Sequence, residues 1–330
     1  MTWSTLQTGE TPNVVRRATR ALPRACSFRA GNPEIDTLIL ATSYTAVGHF
    51  RCPVDHPAFV DSGPISDPLF VFPRTSVWIQ HDGAPPFHCD PNVVTIYNRG
   101  QRYRRRPSSP DGDRSDWFAL SDDVAREIAS AGDPSAVDAV RPFADARTAS
   151  NSSLYLRQRI LHQRARRGEI TALELDEHVF EIALEVIAPH HPPEPRRVRP
   201  SAARRHAGLV ESVRAELARD AGANISLGDL ATVAGTSPFH LCRLFRAQTG
   251  VTLRSYRNEL RCRLALEDLA MGMSTISAIA HRLGFASHAH FVRVARRLFG
   301  DAPGTIRRRL ALVREALPDV NRETKAVRSE

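Results

Sequence analysis

The last third of the chain carries one pattern twice. Leu230-Ala231 followed by Gly235 returns 49 residues later as Ile279-Ala280 followed by Gly284. Beyond the glycine the spacing becomes 50, matching Leu241 with Phe291, Arg243 with Arg293, Gly250 with Gly300 and Tyr256-Arg257 with Ile306-Arg307. A tandem repeat restricts the fold severely, because each copy must build the same supersecondary unit. In each copy a short apolar stretch stops at a glycine, which can turn at positive φ without steric cost. Ala231 and Ala280 stand four residues before those glycines, where a small side chain lets the next helix cross closely. Ser237 and Ser287 then offer hydroxyls for an N-cap, and Pro238 suits the first helical position. Each copy reads as a helix-turn-helix unit.

Helical spacing sorts the side chains of the two second helices. Leu241, Leu244 and Phe245 in the first, and Phe291, Val294 and Leu298 in the second, fall on the core side. Phe239, Cys242, Arg243 and Arg246 face outward in the first, and His288, Ala289, Val292, Arg293 and Arg296 in the second. With Ser237, Pro238 and Ser287 these form the candidate DNA-binding set. An arginine can fork onto guanine, a histidine can bond a base edge or a phosphate, and Phe239, Ala289 and Val292 can touch a thymine methyl. Cys242 is expected to be a small packing residue rather than a redox switch. Between the units, Leu253 to Met271 reads as one long helix with Tyr256, Leu260, Leu264 and Leu269 apolar. Such a strut would hold two recognition helices about 34 Å apart, the spacing of successive major grooves.

Charge supports a polyanionic partner. Residues 191–330 hold 24 of the 45 basic residues but only 13 of the 36 acidic ones, so the excess lies in this half. Only Lys325 among the basic residues is lysine, a usage given no functional weight. The 330 residues, with 42% hydrophobic and 25% charged, leave room for two globular domains. No run of 18 apolar residues suggests a membrane span, and Met1 to Arg20 lacks the apolar core of a secretory signal. Five scattered cysteines point to the reducing cytoplasm rather than a disulfide framework.

The first half reads differently. Apolar runs at Thr37–Leu40, Leu69–Phe72, Thr75–Gln80, Val93–Tyr97 and Trp117–Leu120 alternate with turn signals at Asp82-Gly83, Asn98-Arg99-Gly100 and Asp111-Gly112. That texture predicts a small β-barrel. A short helix from Ser121 to about Ser130 follows, then a helix over Ser153–Arg167 ended by Gly168. Thr171 and Glu174 form a capping box for a helix with Leu175, Val179, Ile182, Ala183 and Val186 on one face. The proline-rich stretch from Pro189 to Pro200 cannot continue a helix and reads as a solvated linker. The expected division is a disordered lead-in at 1–30, a sensor and dimerisation domain at 31–188, a linker at 189–203, a DNA-binding domain at 204–315 and a tail at 316–330.

Residues 205–310 resemble the DNA-binding domain of the AraC/XylS family of bacterial transcription regulators. The motif runs Leu230-Ala231, Ser237, Leu241, Arg243-Leu244-Phe245, Gly250, Tyr256, Arg261, Ala265 and Leu269. It continues with Ile279-Ala280, Leu283-Gly284-Phe285, Ser287, Phe291, Arg293, Gly300 and Pro303. The family usually has phenylalanine where this chain has Ala295 and an aromatic where it has Ile306, so looser packing is expected there. The stretch from Val77 through Gly83, Phe87, Asp90-Pro91-Asn92-Val93-Val94 and Tyr97-Asn98 to Tyr103 is similar, more weakly, to that family's effector domains. The resemblance implies an α+β chain. Its N-terminal cupin-like barrel would carry a helical hairpin, and its all-α C-terminal domain two helix-turn-helix units. It implies double-stranded promoter DNA as partner, with RNA polymerase, a small-molecule effector in the barrel and a homodimer through residues 150–188.

Other classes leave weaker marks. His49, Cys52, His56, His81, His88 and Cys89 fall in the barrel region, but no His-x-His precedes His288, and no metal, cofactor or catalytic residue is expected. His190-His191 lies in the linker, with no cysteine nearby. Arg102 to Arg106 could attract an anion but reads as a solvated strand or loop. The enzymatic alternative is a cupin-type metal-dependent enzyme with an appended helical domain. A third reading is an architectural DNA binder without sequence preference.

Overall fold

A computed structural model of the protein describes Phe28, residues 31–188 and residues 200–311. The expected tail, most of the lead-in and residues 189–199 of the expected linker lie outside the described residues. The architecture is α+β, a sheet-rich first half followed by a helical second half.

Strands β1 (Asp36–Ala41), β2 (Thr45–Cys52), β3 (Leu69–Pro73), β6 (Val93–Tyr97), β8 (Asp113–Leu120) and β9 (Arg147–Ala149) form one antiparallel sheet in the order β1-β2-β8-β3-β6-β9. Strands β4 (Val77–His81), β5 (Phe87–Cys89) and β7 (Tyr103–Pro107) form a second, in the order β5-β4-β7. The five apolar runs of the sequence fall in β1, β3, β4, β6 and β8. The larger sheet is covered on both faces. Val47, Phe70, Phe72, Val94 and Phe118 join one core, whereas Cys52, Ala46, Tyr97, Trp117 and Ala119 belong to cores on the other side. Phe28, from the expected lead-in, is buried against that second side.

Three helices pack on the sheet: α1 (Asp122–Gly132), capped by Ser121, α2 (Ser152–Arg166) and α3 (Ala172–Ile187). Thr171 and Glu174 make the reciprocal capping box, and Gly168 turns at φ +66° between α2 and α3. The second half comprises α4 (Pro200–Arg219), α5 (Leu227–Val233), α6 (Pro238–Thr249), α7 (Leu253–Met271), α8 (Ile276–Arg282), α9 (His288–Phe299) and α10 (Pro303–Leu310). Leu217, Leu230, Leu241, Phe245 and Tyr256 form a core of their own around α5 and α6. The helices α7 to α10 instead share one apolar core with the sheet, through Leu154 and Leu161 of α2 to Leu266, Phe291 and Ile306. Ala295 and Ile306, the two departures from the family pattern, are both core residues at 1% and 0% exposure.

Two expectations change. The run Arg102–Arg106 is not a solvated strand throughout: Arg105 of β7 is fully buried, pairs with Asp113 at 2.8 Å and lies 4.5 Å from the Phe50 ring centroid. Nor is α7 a strut with one apolar stripe. Asn258, Arg261, Cys262 and Arg263 are buried beside Leu260 and Ala265, while Leu264 is only half-buried.

Candidate nucleic-acid interface

Each helix pair is built by the local signals that the sequence carries. Ser237 caps α6 by accepting from the His240 amide at 3.3 Å, and Ser287 caps α9 by accepting from the His290 amide at 3.1 Å. The turns before them pass through Gly235 at φ +58° and Gly284 at φ +69°. The repeat is not symmetric in its packing. A Cβ on Gly235 would meet nothing within 4 Å, whereas one on Gly284 would lie 2.2 Å from the Gly222 carbonyl oxygen.

Arg261 explains the difference. Its guanidinium donates to the carbonyl oxygens of Ala221 at 2.6 Å, Ala223 at 3.1 Å and Gly284 at 2.7 Å. One buried cation therefore ties the loop before α5 to the turn before α9, fixing the first pair relative to the second. Burial and the neighbouring Arg257 pull the Arg261 pKa down to about 10, which leaves it charged at neutral pH.

The candidate residues divide between the two pairs as periodicity requires. Ser237, Pro238, Phe239, Cys242, Arg243 and Arg246 are all exposed on α6 and its cap. Phe239 is 80% exposed, an unusual place for a large aromatic ring without a partner. Ser287, His288, Ala289, Arg293 and Arg296 are exposed on α9 and its cap, and Val292 is half-buried. Cys242 is a free, exposed thiol, so it does not serve as a packing residue. On the opposite faces Leu241, Leu244, Phe245, Phe291 and Val294 are buried, and Leu298 is half-buried beside the buried Phe299.

The sheet half grips this surface from behind, a feature that sequence reasoning missed. Arg263 of α7 is fully buried and donates to the carbonyl oxygens of Pro91 at 3.0 Å and Ser150 at 2.6 Å, and to Asn92 Oδ1 at 2.6 Å. Tyr256 donates its hydroxyl to Asp90 Oδ2 at 2.6 Å. Glu267, one turn beyond Arg263, meets Arg74, Arg114 at 3.0 Å and Arg159 at 2.9 Å. Arg159 and Arg74 also pair with the fully buried Asp116, at 2.6 and 3.5 Å. Glu211 of α4 makes a second grip, pairing with Arg147 at 2.7 Å and accepting from the His88 amide at 2.7 Å. The cations around Asp116 hold its carboxyl well below the usual range, and burial keeps His162 neutral, with its pKa lowered to about 4.

A cavity of about 100 Å³ lies within the sheet half, lined by Phe50, Leu69, Val71, Tyr97, Tyr103 and Trp117 among others. Among the described residues no group of three or more His, Cys, Asp or Glu side chains could hold a metal ion. No helix there is long and apolar enough to cross a membrane.

An exposed, arginine-bearing face on two capped helices held in fixed relation defines the class: a helix-turn-helix protein. The family described as "Helix-turn-helix domain" matches residues 230–309. The chain is 42% identical over 80 residues to the HTH-type transcriptional regulator GlxA of Rhizobium meliloti (strain 1021), covering 24% of this chain and 25% of the relative. It is 32% identical over 106 residues to a putative AraC-like transcription regulator of Streptomyces lividans, 31% of this chain and 35% of the relative. The match to the transposon Tn10 TetD protein of Escherichia coli is 31% over 103 residues, 31% of this chain and 75% of the relative. Among solved structures, ToxT of Vibrio cholerae O395 aligns with a TM-score of 0.33 and 14% identity, over 82% of this chain and 100% of that one. The chain belongs to the AraC/XylS family of DNA-binding transcription regulators. It spans about a quarter to a third of the length of the first curated relatives that it matches.

Proposed function

We propose that this protein is a sequence-specific transcription regulator that reads promoter DNA with two helix-turn-helix units, α5–α6 and α8–α9. The observation that carries the reading is the exposure of Phe239, Arg243 and Arg246 on α6 together with His288, Arg293 and Arg296 on α9, while the faces behind them are buried. In this reading the N-terminal halves of α6 and α9 enter successive major grooves, and the twelve candidate residues divide between base edges and phosphates.

The same reading extends to the rest of the chain. Residues 31–188 would form a cupin-like sensor with a small-molecule effector in the cavity beside Trp117. The expected linker at 189–203 overlaps α4, which already begins at Pro200, so the DNA-binding domain would start with that helix rather than at residue 204. Coupling between the two would run through Arg263 and Glu267, because these side chains belong to the helix that joins both units and end in the sheet half. The dimer seam would be the outer side of α3, where Leu173 is 69% exposed and Phe180 and Leu184 are half-buried. The buried face of α2 is already taken by this chain's own α9 and α10. From a bound promoter in the cytoplasm such a protein would contact RNA polymerase.

The test is selection of duplexes from a random-sequence pool by the full-length protein. Enrichment of one motif, bound with an affinity that falls steeply with salt, supports the reading. Equal binding of selected and random duplexes at physiological salt would leave an architectural binder instead.

A further inference from the structure

Between the two units the surface opens into a cleft of about 420 Å³, walled by the start of α7 on one side and α9 on the other. Thr252, Arg254 and Asn258 line it from α7, and His290, Arg293 and Arg297 from α9. None of the three arginines makes a side-chain hydrogen bond or an ion pair with the other described residues. The neighbouring carboxylate on α7, Glu259, lies 3.6 Å from Arg263 and also feels the charge of Arg297, without forming an ion pair with it. Asn258 is only 7% exposed, lines the cleft, and its amide also has no hydrogen-bond partner among the described residues. The N-terminus of α7, a helix of 19 residues, opens at the same place. It adds free backbone amides and the positive end of the helix dipole.

Three guanidiniums without an ion pair, an amide lining the cleft with no hydrogen bond to the other described residues, and a helix N-terminus together describe a receptor for one compact anion with several acceptor oxygens. The repeat makes this cluster at one place. Where Arg254 stands the second unit has Gly304, and where Arg297 stands the first unit has Ala247. The cleft thus sits at the junction, beyond the end of α6 and against the side of α9. A duplex that received α6 in one major groove and α9 in the next would run its sugar–phosphate backbone across this point.

We infer that this cleft clamps a backbone phosphate of the DNA between the two grooves, with Arg254, Asn258 and Arg297 as its ligands and Arg293 at its edge. The inference rests on the DNA-reading function proposed above and deepens it, naming a contact that sets the register of both units at once. Burial and the potential of Arg293, Arg254, Arg261 and Arg297 lower the pKa of His290. The ring is therefore neutral at physiological pH and donates at most one hydrogen bond to the anion.

The experiment uses the full-length chain and a duplex that it selects from a random pool. A single neutral methylphosphonate is moved step by step along both strands, and affinity is measured at each position. For the wild-type chain a loss of about tenfold or more is expected at one or two adjacent positions between the two half-sites. In Arg254→Gln/Arg297→Gln the same neutralisation should have no further effect. The variant should bind all sequences more weakly with unchanged preference, its salt slope lowered by about one per lost phosphate contact. Asn258→Asp, nearly the same shape with the wrong charge, should be weaker still at an unchanged unfolding midpoint. A flat scan in a wild-type chain that binds its selected duplex would overturn the clamp alone. So would a penalty that persists in the double variant. Tight binding of inorganic phosphate without DNA, combined with a flat scan, would assign the cleft to a free anion and also overturn the clamp. If the wild-type chain enriches no sequence, the DNA reading falls and the clamp with it.

Discussion

Glu267 offers the sharpest test of how the two halves are joined. Its carboxylate faces three guanidiniums, Arg74, Arg114 and Arg159, and the side chain of Arg159 is fully buried. Asp116 supplies the only other negative charge paired with Arg74 and Arg159 among the described residues. Replacing Glu267 with glutamine keeps the shape and one acceptor oxygen but removes the charge, leaving three cations against one carboxylate. Breaking a buried pair in this way costs about 3–5 kcal/mol, because the partner charge stays desolvated. Glu267 keeps 15% of its side chain exposed and Arg114 keeps 36%, so water screens part of the imbalance. The lower end, about 3 kcal/mol, is the expected loss for Glu267→Gln. The adjacent Asp268 is the control. It pairs with Arg282, whose side chain is 57% exposed, so Asp268→Asn should cost no more than about 1 kcal/mol. Urea unfolding followed by circular dichroism and tryptophan fluorescence measures both. Loosening of the interface should also let the sheet half, which holds Trp78 and Trp117, unfold separately from the helical half. If Glu267→Gln loses no more stability than Asp268→Asn, the cluster does not hold the halves together.

Three further outcomes follow from the same geometry. Stability should fall as pH drops from about 6.5 to about 4. In that window the unfolded chain protonates the His162 ring while the folded chain keeps it neutral, and the slope is at most about 1.4 kcal/mol per pH unit for this group. His81, with its pKa also lowered to about 4, adds to the same window, so His162→Gln should reduce the pH dependence of the unfolding midpoint without abolishing it. Gly284→Ala should destabilise far more than Gly235→Ala. Both strain a left-handed residue, by about 1–2 kcal/mol, but only the first drives a methyl into the Gly222 carbonyl and the Arg261 guanidinium. Comparison of their unfolding midpoints decides this. Finally, Phe239→Ala should change stability by less than about 0.5 kcal/mol, because the ring touches little of its own chain. In a binding titration it should lower affinity for the selected duplex. Arg293→Ala should cost about 1–3 kcal/mol of specific binding if its guanidinium reads a base.

The helical half was legible because its signals are local. Serine caps, glycine turns and 3.6-residue periodicity act within a dozen residues, so Leu253–Met271 and the outward faces of α6 and α9 could be read directly. The sheet half was harder. The β2 sequence Thr-Ala-Val-Gly-His-Phe-Arg-Cys shows no polar alternation because both of its faces are covered, and it went unread. The arginine run of β7 looks solvated, yet Arg105 turns inward because Asp113 and the Phe50 ring wait there. The grip on α7 was invisible for a different reason. Arg263 and Glu267 look like ordinary exposed charges until Ser150 and Arg74, 113 and 193 residues away, are folded against them. The phosphate cleft was hidden likewise, since Arg254 and Arg297 come together only when α9 packs on α7.

The most direct test of two-groove reading is protection of guanine N7 from methylation on the selected duplex by the full-length chain. Two protected patches per bound chain, about ten base pairs apart on one face of the helix, are expected. Protection confined to one patch, or patches on opposite faces of the duplex, would contradict it.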